Sequence, residues 1–187
     1  MNEVLDAIAK RSSTRAYTGQ KLSKEQLDAL ITAALQAPTA RNMQEVHISV
    51  LDGDDPVLGE IDAERRQEMI KVASDENVKR AIENDTRNFY YNAPTVFILS
   101  ADKDFKWSRV DAGIASATIS LAAQSLGLGS LIIGIIDKAM KGDKERYFAQ
   151  KLRFPENYGF VIAVAVGYKN TEKEPHTFDR ERSVSFI

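Results

Sequence analysis

The chain has 187 residues, 43% of them hydrophobic and 28% charged, enough apolar material for one domain with a sizeable core. Its net charge of -2 gives no general reason to expect nucleic acid as a partner. There is no cysteine, and His47 and His176 are the only histidines, which excludes disulfides, iron–sulfur clusters and thiolate catalysis and argues against a multi-histidine metal centre.

Val4, Leu5 and Ile8 fall on one face of a first predicted helix that ends near Arg11. Lys10-Arg11-Ser12-Ser13-Thr14-Arg15 then sets three cations and three hydroxyls in six residues. Two arginines four apart, with serines between them, suit a dianion such as a phosphate monoester, because guanidinium forks and hydroxyls fill its lone pairs. The same residues also suit a solvated helix end. Ser23, with Gln26 three residues on, predicts the capping box of a second helix. Leu27, Leu30, Ile31 and Ala34 recur there at helical spacing, and Pro38 ends it.

Ala37 to Gln44 reads as a small, polar loop, and Val46, Ile48 and Val50 alternate with His47 and Ser49 as a half-buried strand. After the turn at Asp52–Pro56, the charge-rich stretch to about Arg87 predicts one or two surface helices. Val96-Phe97-Ile98-Leu99 is an unbroken apolar run, short enough for a strand covered on both faces. Residues 107–126 predict a long helix of small residues, buried nearly all round inside the domain or against a second subunit. Asp111 on that helix is expected to pair with a nearby cation.

Gly127 supplies a left-handed C-cap, and Leu131 to Ile136 predicts a strand or extended edge with Gly134 inside it. Such a glycine marks either tight packing or the close approach of a ligand. A charged helix over about 143–152 and a last central strand over 160–166 follow. The final twenty residues are polar but end in Val184-Ser185-Phe186-Ile187, an apolar finish that suits docking. Ala112 to Ile136 carries no charge, yet its glycines and hydroxyls suit a buried helix and strand better than a membrane span. Met1-Asn2-Glu3 does not read as a secretory leader, so the expected location is cytoplasmic.

Several of these stretches together resemble the flavin-dependent nitroreductase family: Arg11 to Tyr17, Ala37 to Gln44, Asn92-Ala93-Pro94, Asp111 to Ala115, Leu126 to Ser130 and Gly167-Tyr168. Each is unspecific alone; their order and spacing carry the resemblance. It implies an α+β fold, a three-layer sandwich with a mostly antiparallel central sheet flanked by helices. It also implies a homodimer with two FMN molecules at the subunit interface. Residues 1–187 would form a single FMN-binding domain, with 168–187 as an extension docking on the partner subunit.

By position, the resemblance assigns Arg11, Ser12, Ser13 and Arg15 to the FMN phosphate and ribityl chain. Asn42 would reach the flavin from the same subunit, and Pro38, Thr39 and Ala40 from the partner. Ile132, Ile133 and Gly134 would lie against the isoalloxazine, with a backbone N–H near N5. Arg180 or Arg182 would meet the phosphate. The implied activity is hydride transfer from NAD(P)H to an electron-poor acceptor, a nitroaromatic or quinone, by a ping-pong route. No side chain is expected to act as catalytic acid or base, and no metal is expected, since the flavin carries the chemistry. The alternative is an FMN carrier or regulatory protein with little turnover. The sequence departs from the family where a tryptophan commonly follows the Asn…Gln element, since Glu45-Val46 stands there, and along the flavin edge at Ile132 and Ile135.

Overall fold

The computed structural model describes residues 2–187. Among these, seven α-helices and four strands are formed: α1 Glu3–Lys10, α2 Lys24–Leu35, β1 His47–Asp52, α3 Pro56–Val72, α4 Glu76–Asn84, β2 Thr95–Asp102, α5 Ser108–Ser125, β3 Gly129–Ile133, α6 Glu145–Lys151, β4 Tyr158–Gly167 and α7 Arg180–Ser183. The strands make one antiparallel sheet in the order β1-β2-β4-β3. No helix among the described residues is long and apolar enough to cross a membrane.

Alternation along β2 explains the layers. Val96 and Ile98 point to one face, where Leu58 and Ile61 of α3 and Phe148 of α6 cover them. Phe97 and Leu99 point to the other, under Leu30 of α2 and Ala112, Ala115 and Ile119 of α5. The result is the α+β three-layer sandwich, with β2 buried on both faces along almost its whole length. Each such large apolar side chain contributes about 1.5–3 kcal/mol on burial.

Helix ends follow the local chemistry. Ser23 Oγ accepts the Gln26 N–H and the Gln26 side chain accepts the Ser23 N–H, so the capping box is formed. Asp55 caps α3, whose first residue is Pro56. Gly127, at φ +74°, ends α5 in a Schellman arrangement: Leu128 N–H donates to Ala123 O at 2.8 Å and Gly127 N–H to Gln124 O at 3.1 Å.

Three expectations need correction. First, β3 stops at Ile133, and Ile135–Lys138 is a 3₁₀ turn, so Gly134 closes the strand and does not interrupt it. Second, α5 is not buried all round inside the domain: Ser108, Asp111, Ala112, Ala115, Ser116, Ile119, Ser120 and Ala123 form one buried stripe, so all-round burial would need the second-subunit setting. Val110, Gly113 and Ala117 stay exposed in the single chain. The apolar face of α1 is open in the same way, with Val4, Leu5 and Ile8 at least half exposed. Third, among the described residues Asp111 meets no cation. Its Oδ2 accepts the backbone N–H of Ala40 at 2.9 Å.

Candidate functional site

The cationic stretch after α1 is stapled to β3 and to the end of β4. Ser13 forms a parallel bridge with Ser130, Thr14 N–H donates to Ser130 O at 2.9 Å, and Tyr17 bridges Lys169. Tyr17 Oη donates to Thr14 O at 3.0 Å, which fixes the turn from inside. Burial pushes the Tyr17 phenol well above its ordinary range, and only the nearby Arg15 guanidinium opposes that shift. Gly129 makes the close approach possible, because a methyl group there would overlap Thr14 Oγ1. Among the described residues, neither Arg11 nor Arg15 forms an ion pair.

This staple brings Arg15 to a cavity of about 400 Å³ that Leu131, Ile132, Ile133, Gly134 and Ile135 also line. Arg15 and the β3 edge, more than a hundred residues apart, therefore share one space, while Arg11, Ser12 and Ser13 do not line it. Ile132 and Ile135 are both exposed at its rim, large apolar surfaces suited to stacking against a planar ring. Gly134 has φ -106°, and a methyl group there would meet only Ile162 Cδ1 at 3.5 Å. Neither backbone strain nor packing within the chain calls for glycine at this position. Its N–H donates no hydrogen bond among the described residues, leaving a free donor at the cavity edge.

The third wall escaped the sequence reading. Asp85, Arg87, Asn88, Phe89 and Tyr91, from the segment between α4 and β2, line the cavity together with Met69 of α3. α3 holds this segment in place. Asp62 accepts the Phe89 N–H at 2.9 Å, and Arg66 donates to Asp62 at 2.7 Å, to Ile82 O at 3.0 Å and to Arg87 O. The Arg66 guanidinium also lies 5.2 Å over the Phe89 ring. Asn88 Oδ1 accepts the N–H groups of Tyr90 and Asn92, an Asx turn that would have been the one local signal in the sequence. Arg87 and Asp85 form a two-pronged ion pair there, and the guanidinium holds the Asp85 carboxyl down at about 2.

Arg65, also on α3, donates through Nε to Ile135 O at 2.6 Å, tying the turn after Gly134 to that helix. Its Nη1 is buried without a partner.

Pro38, Thr39, Ala40 and Asn42 do not line this cavity. They share one loop whose 3₁₀ turn, Ala40–Asn42, is pinned to α5 through the Ala40 N–H, and Gln44 N–H donates to Thr39 Oγ1 at 3.0 Å. Asn42 thus sits with Pro38–Ala40, not with Arg15 and Gly134, and its Oδ1 accepts from Gln44 Nε2 at 3.0 Å. Among the described residues no group of carboxylates and histidines has the arrangement of a metal site.

The donor set fits a phosphorylated, planar cofactor: unpaired guanidiniums beside serines for the phosphate, apolar side chains for a ring, and one free backbone donor at the ring's edge. Comparison with known proteins points the same way. Over its whole length the chain superposes on a nitroreductase with bound FMN from Desulfitobacterium hafniense DCB-2, with TM-score 0.88, 32% identity and 99% of that chain covered. A nitroreductase with bound FMN from Bacteroides fragilis NCTC 9343 gives TM-score 0.85 and 26% identity, with 100% of both chains covered. The NADPH-flavin oxidoreductase of Vibrio harveyi is 27% identical over 183 residues, 94% of this chain and 70% of that protein. Residues 8–168 match the model of the nitroreductase family, and the chain belongs to that family.

Proposed function

We propose that the protein is an FMN-dependent oxidoreductase that passes hydride from NAD(P)H to an electron-poor acceptor, a nitroaromatic or a quinone, in a ping-pong cycle. The observation that carries this reading is the shared cavity of Arg15 and the Ile132–Ile135 edge, with the free Gly134 N–H at its rim. FMN, when bound, supplies the hydride chemistry. The chain supplies the rest. Arg11 and Arg15, with Ser12 and Ser13, neutralise and orient the phosphate. Ile132 and Ile133 would exclude water from one side of the ring, and the Gly134 N–H would be a donor for its reactive edge. With Asp85 and Arg87 tied to each other, the wall opposite is polar but nearly neutral, which suits an uncharged acceptor.

The protein is further proposed to be a cytoplasmic homodimer. The open apolar faces of α1 and α5 call for a cover. In that arrangement Pro38, Thr39, Ala40 and Asn42 would all reach the partner's flavin as one loop. The extension 168–187 would leave its own subunit, since it is exposed from Asn170 onward with Phe178, Phe186 and Ile187 bare, and β1 has an unpaired outer edge that could receive a strand.

The test is direct. Purified protein should take up FMN and turn yellow, and anaerobic NADH or NADPH should bleach it. Arg11→Ala and Arg15→Ala should each weaken FMN binding roughly 10- to 100-fold, the worth of a charge-assisted contact. Protein that stays colourless in excess FMN would sink the proposal, and flavin that binds but is bleached by neither nucleotide would favour a carrier.

A further inference from the structure

Glu45 stands at the end of the loop that begins at Pro38, where it turns into β1. It is 8% exposed, and Asp111 beneath it 2%. Neither oxygen of Glu45 has a hydrogen-bond partner if both carboxyls are ionised. Its carboxyl instead lies within hydrogen-bonding reach of the Asp111 carboxyl. The other titratable groups facing it are Asp102 at the end of β2 and Tyr158 at the start of β4. No cation balances them: among the described residues no Lys or Arg pairs with Glu45 or Asp111. Lys103, Lys106 and Arg109 share a cavity with Asp102, but Glu45 does not line it.

Two neighbouring carboxyls with no cation beside them repel when both are charged, which disfavours the charged form of Glu45. Asp111 already accepts the Ala40 N–H and stands in the first turn of α5, where negative charge is favoured. Glu45 has no such donor, since neither of its buried oxygens has a partner. A proton on Glu45 turns one of its two orphaned oxygens into a hydroxyl donor to Asp111.

We propose that Glu45 is a neutral carboxylic acid that donates to Asp111, and that this bond latches the Thr39–Gln44 loop onto α5. Glu45 is thus a positioning residue. The loop needs a latch because Arg41, Asn42 and Gln44 all hold left-handed backbone, at φ +57°, +53° and +53°, without being glycine. Burial, reinforced by Asp111 and Asp102, raises the Glu45 carboxyl above its ordinary 4.5. A raised acid favours the latched form most below that ordinary value and loses its contribution as pH climbs through the shifted one. The loop should therefore loosen on the alkaline side. The consequence for flavin rests on the reading under Proposed function; the latch itself does not.

The experiment uses the purified full chain. An infrared difference spectrum between wild type and Glu45→Gln at neutral pH should contain the carbonyl stretch of a neutral carboxylic acid. A carboxylate signature in its place overturns the proposal. Between about pH 5 and pH 9, protection of the Ala40 amide, corrected for intrinsic exchange, should fall at least tenfold in the wild type. It should stay level in Glu45→Gln, whose amide donates to Asp111 at every pH. A level wild type, or an equal fall in the variant, overturns it. If Glu45→Gln does not fold, Asp111→Asn keeps the Ala40 acceptor and should move the fall to lower pH; an unmoved fall overturns the pairing. FMN titration over the same range separates the two readings. An affinity that weakens with pH only in the wild type ties the latch to the flavin pocket, and an affinity flat in both cuts that tie. Failure to bind FMN at any pH defeats the functional reading and leaves the exchange data to judge the latch.

Discussion

Gly129→Ala probes the joint between the arginine strip and β3. The added methyl would overlap Thr14 Oγ1 and stand 2.8 Å from both Thr14 Cβ and Lys169 Cγ, so the strip must move. Thr14 is buried, and its N–H donates to Ser130 O at 2.9 Å. Overpacking of a tight site costs about 1–3 kcal/mol, and a weakened buried hydrogen bond adds about 1 kcal/mol. A loss of about 2–4 kcal/mol is therefore expected, equivalent in a chain of this length to roughly 4–16 °C in Tm. Urea unfolding should show a lower midpoint at unchanged slope. Because the strip carries Arg11 and Arg15, FMN affinity should fall with stability. Adding Thr14→Ala removes the overlapping oxygen and should recover part of the loss, a coupling of at least about 1 kcal/mol in the double-mutant cycle. A Gly129→Ala protein within about 0.5 kcal/mol of wild type, or strict additivity with Thr14→Ala, would refute the reasoning.

Ser23→Ala removes the Oγ that accepts the Gln26 N–H, leaves the backbone half of the α2 capping box in place, and should cost about 1 kcal/mol in urea unfolding. Arg65→Met keeps the apolar stem but frees the Ile135 carbonyl; about 1–2 kcal/mol of stability should go, with faster amide exchange concentrated in residues 134–138. The Asp85 carboxyl should titrate at about 2 by carbon NMR. Its pairing with Arg87 is then complete above the ordinary 3.8 and lost only as pH falls through about 2, so an ordinary titration would contradict the ion pair.

What could be read from the sequence was local. Ser23 with Gln26, Gly127 after α5 and the apolar run of β2 each depend on neighbours within a few positions, so pattern alone finds them. The strip and the β3 edge were also legible, but only as members of an ordered set of motifs, since nothing near Arg15 announces Ile132. What stayed hidden depends on distant partners. Asp111 looked like half of an ion pair because its actual partner, the Ala40 N–H, is a backbone group 71 positions away. Asp85 to Arg87 fell inside the predicted surface helices and Asn88 to Tyr91 carried no signal that was used, although Asp62 and Arg66 of α3 make the whole segment a wall. Glu45 stood out only as a departure from the family pattern, and its buried neighbour Asp111 comes from α5, far along the chain. Gly134 was taken into the strand because the apolar run continues to Ile136, and apolarity does not distinguish a strand from a 3₁₀ turn.

The sheet order has a consequence for how the chain comes into being. Among the described strands β3 pairs with β4 alone, and the strip is tied to Tyr168 and Asn170 as well as to Ser130, so β3's only strand neighbour and two of the strip's staples come from the last fifth of these residues. The arginine strip, early in the sequence, is thus among the last segments to be fixed in place. A chain that stops short of Tyr158 keeps the link between the strip and Ser130 but has no strand to hold β3 itself in the sheet. Chains truncated before β4 should then bind no phosphate, whatever their helical content.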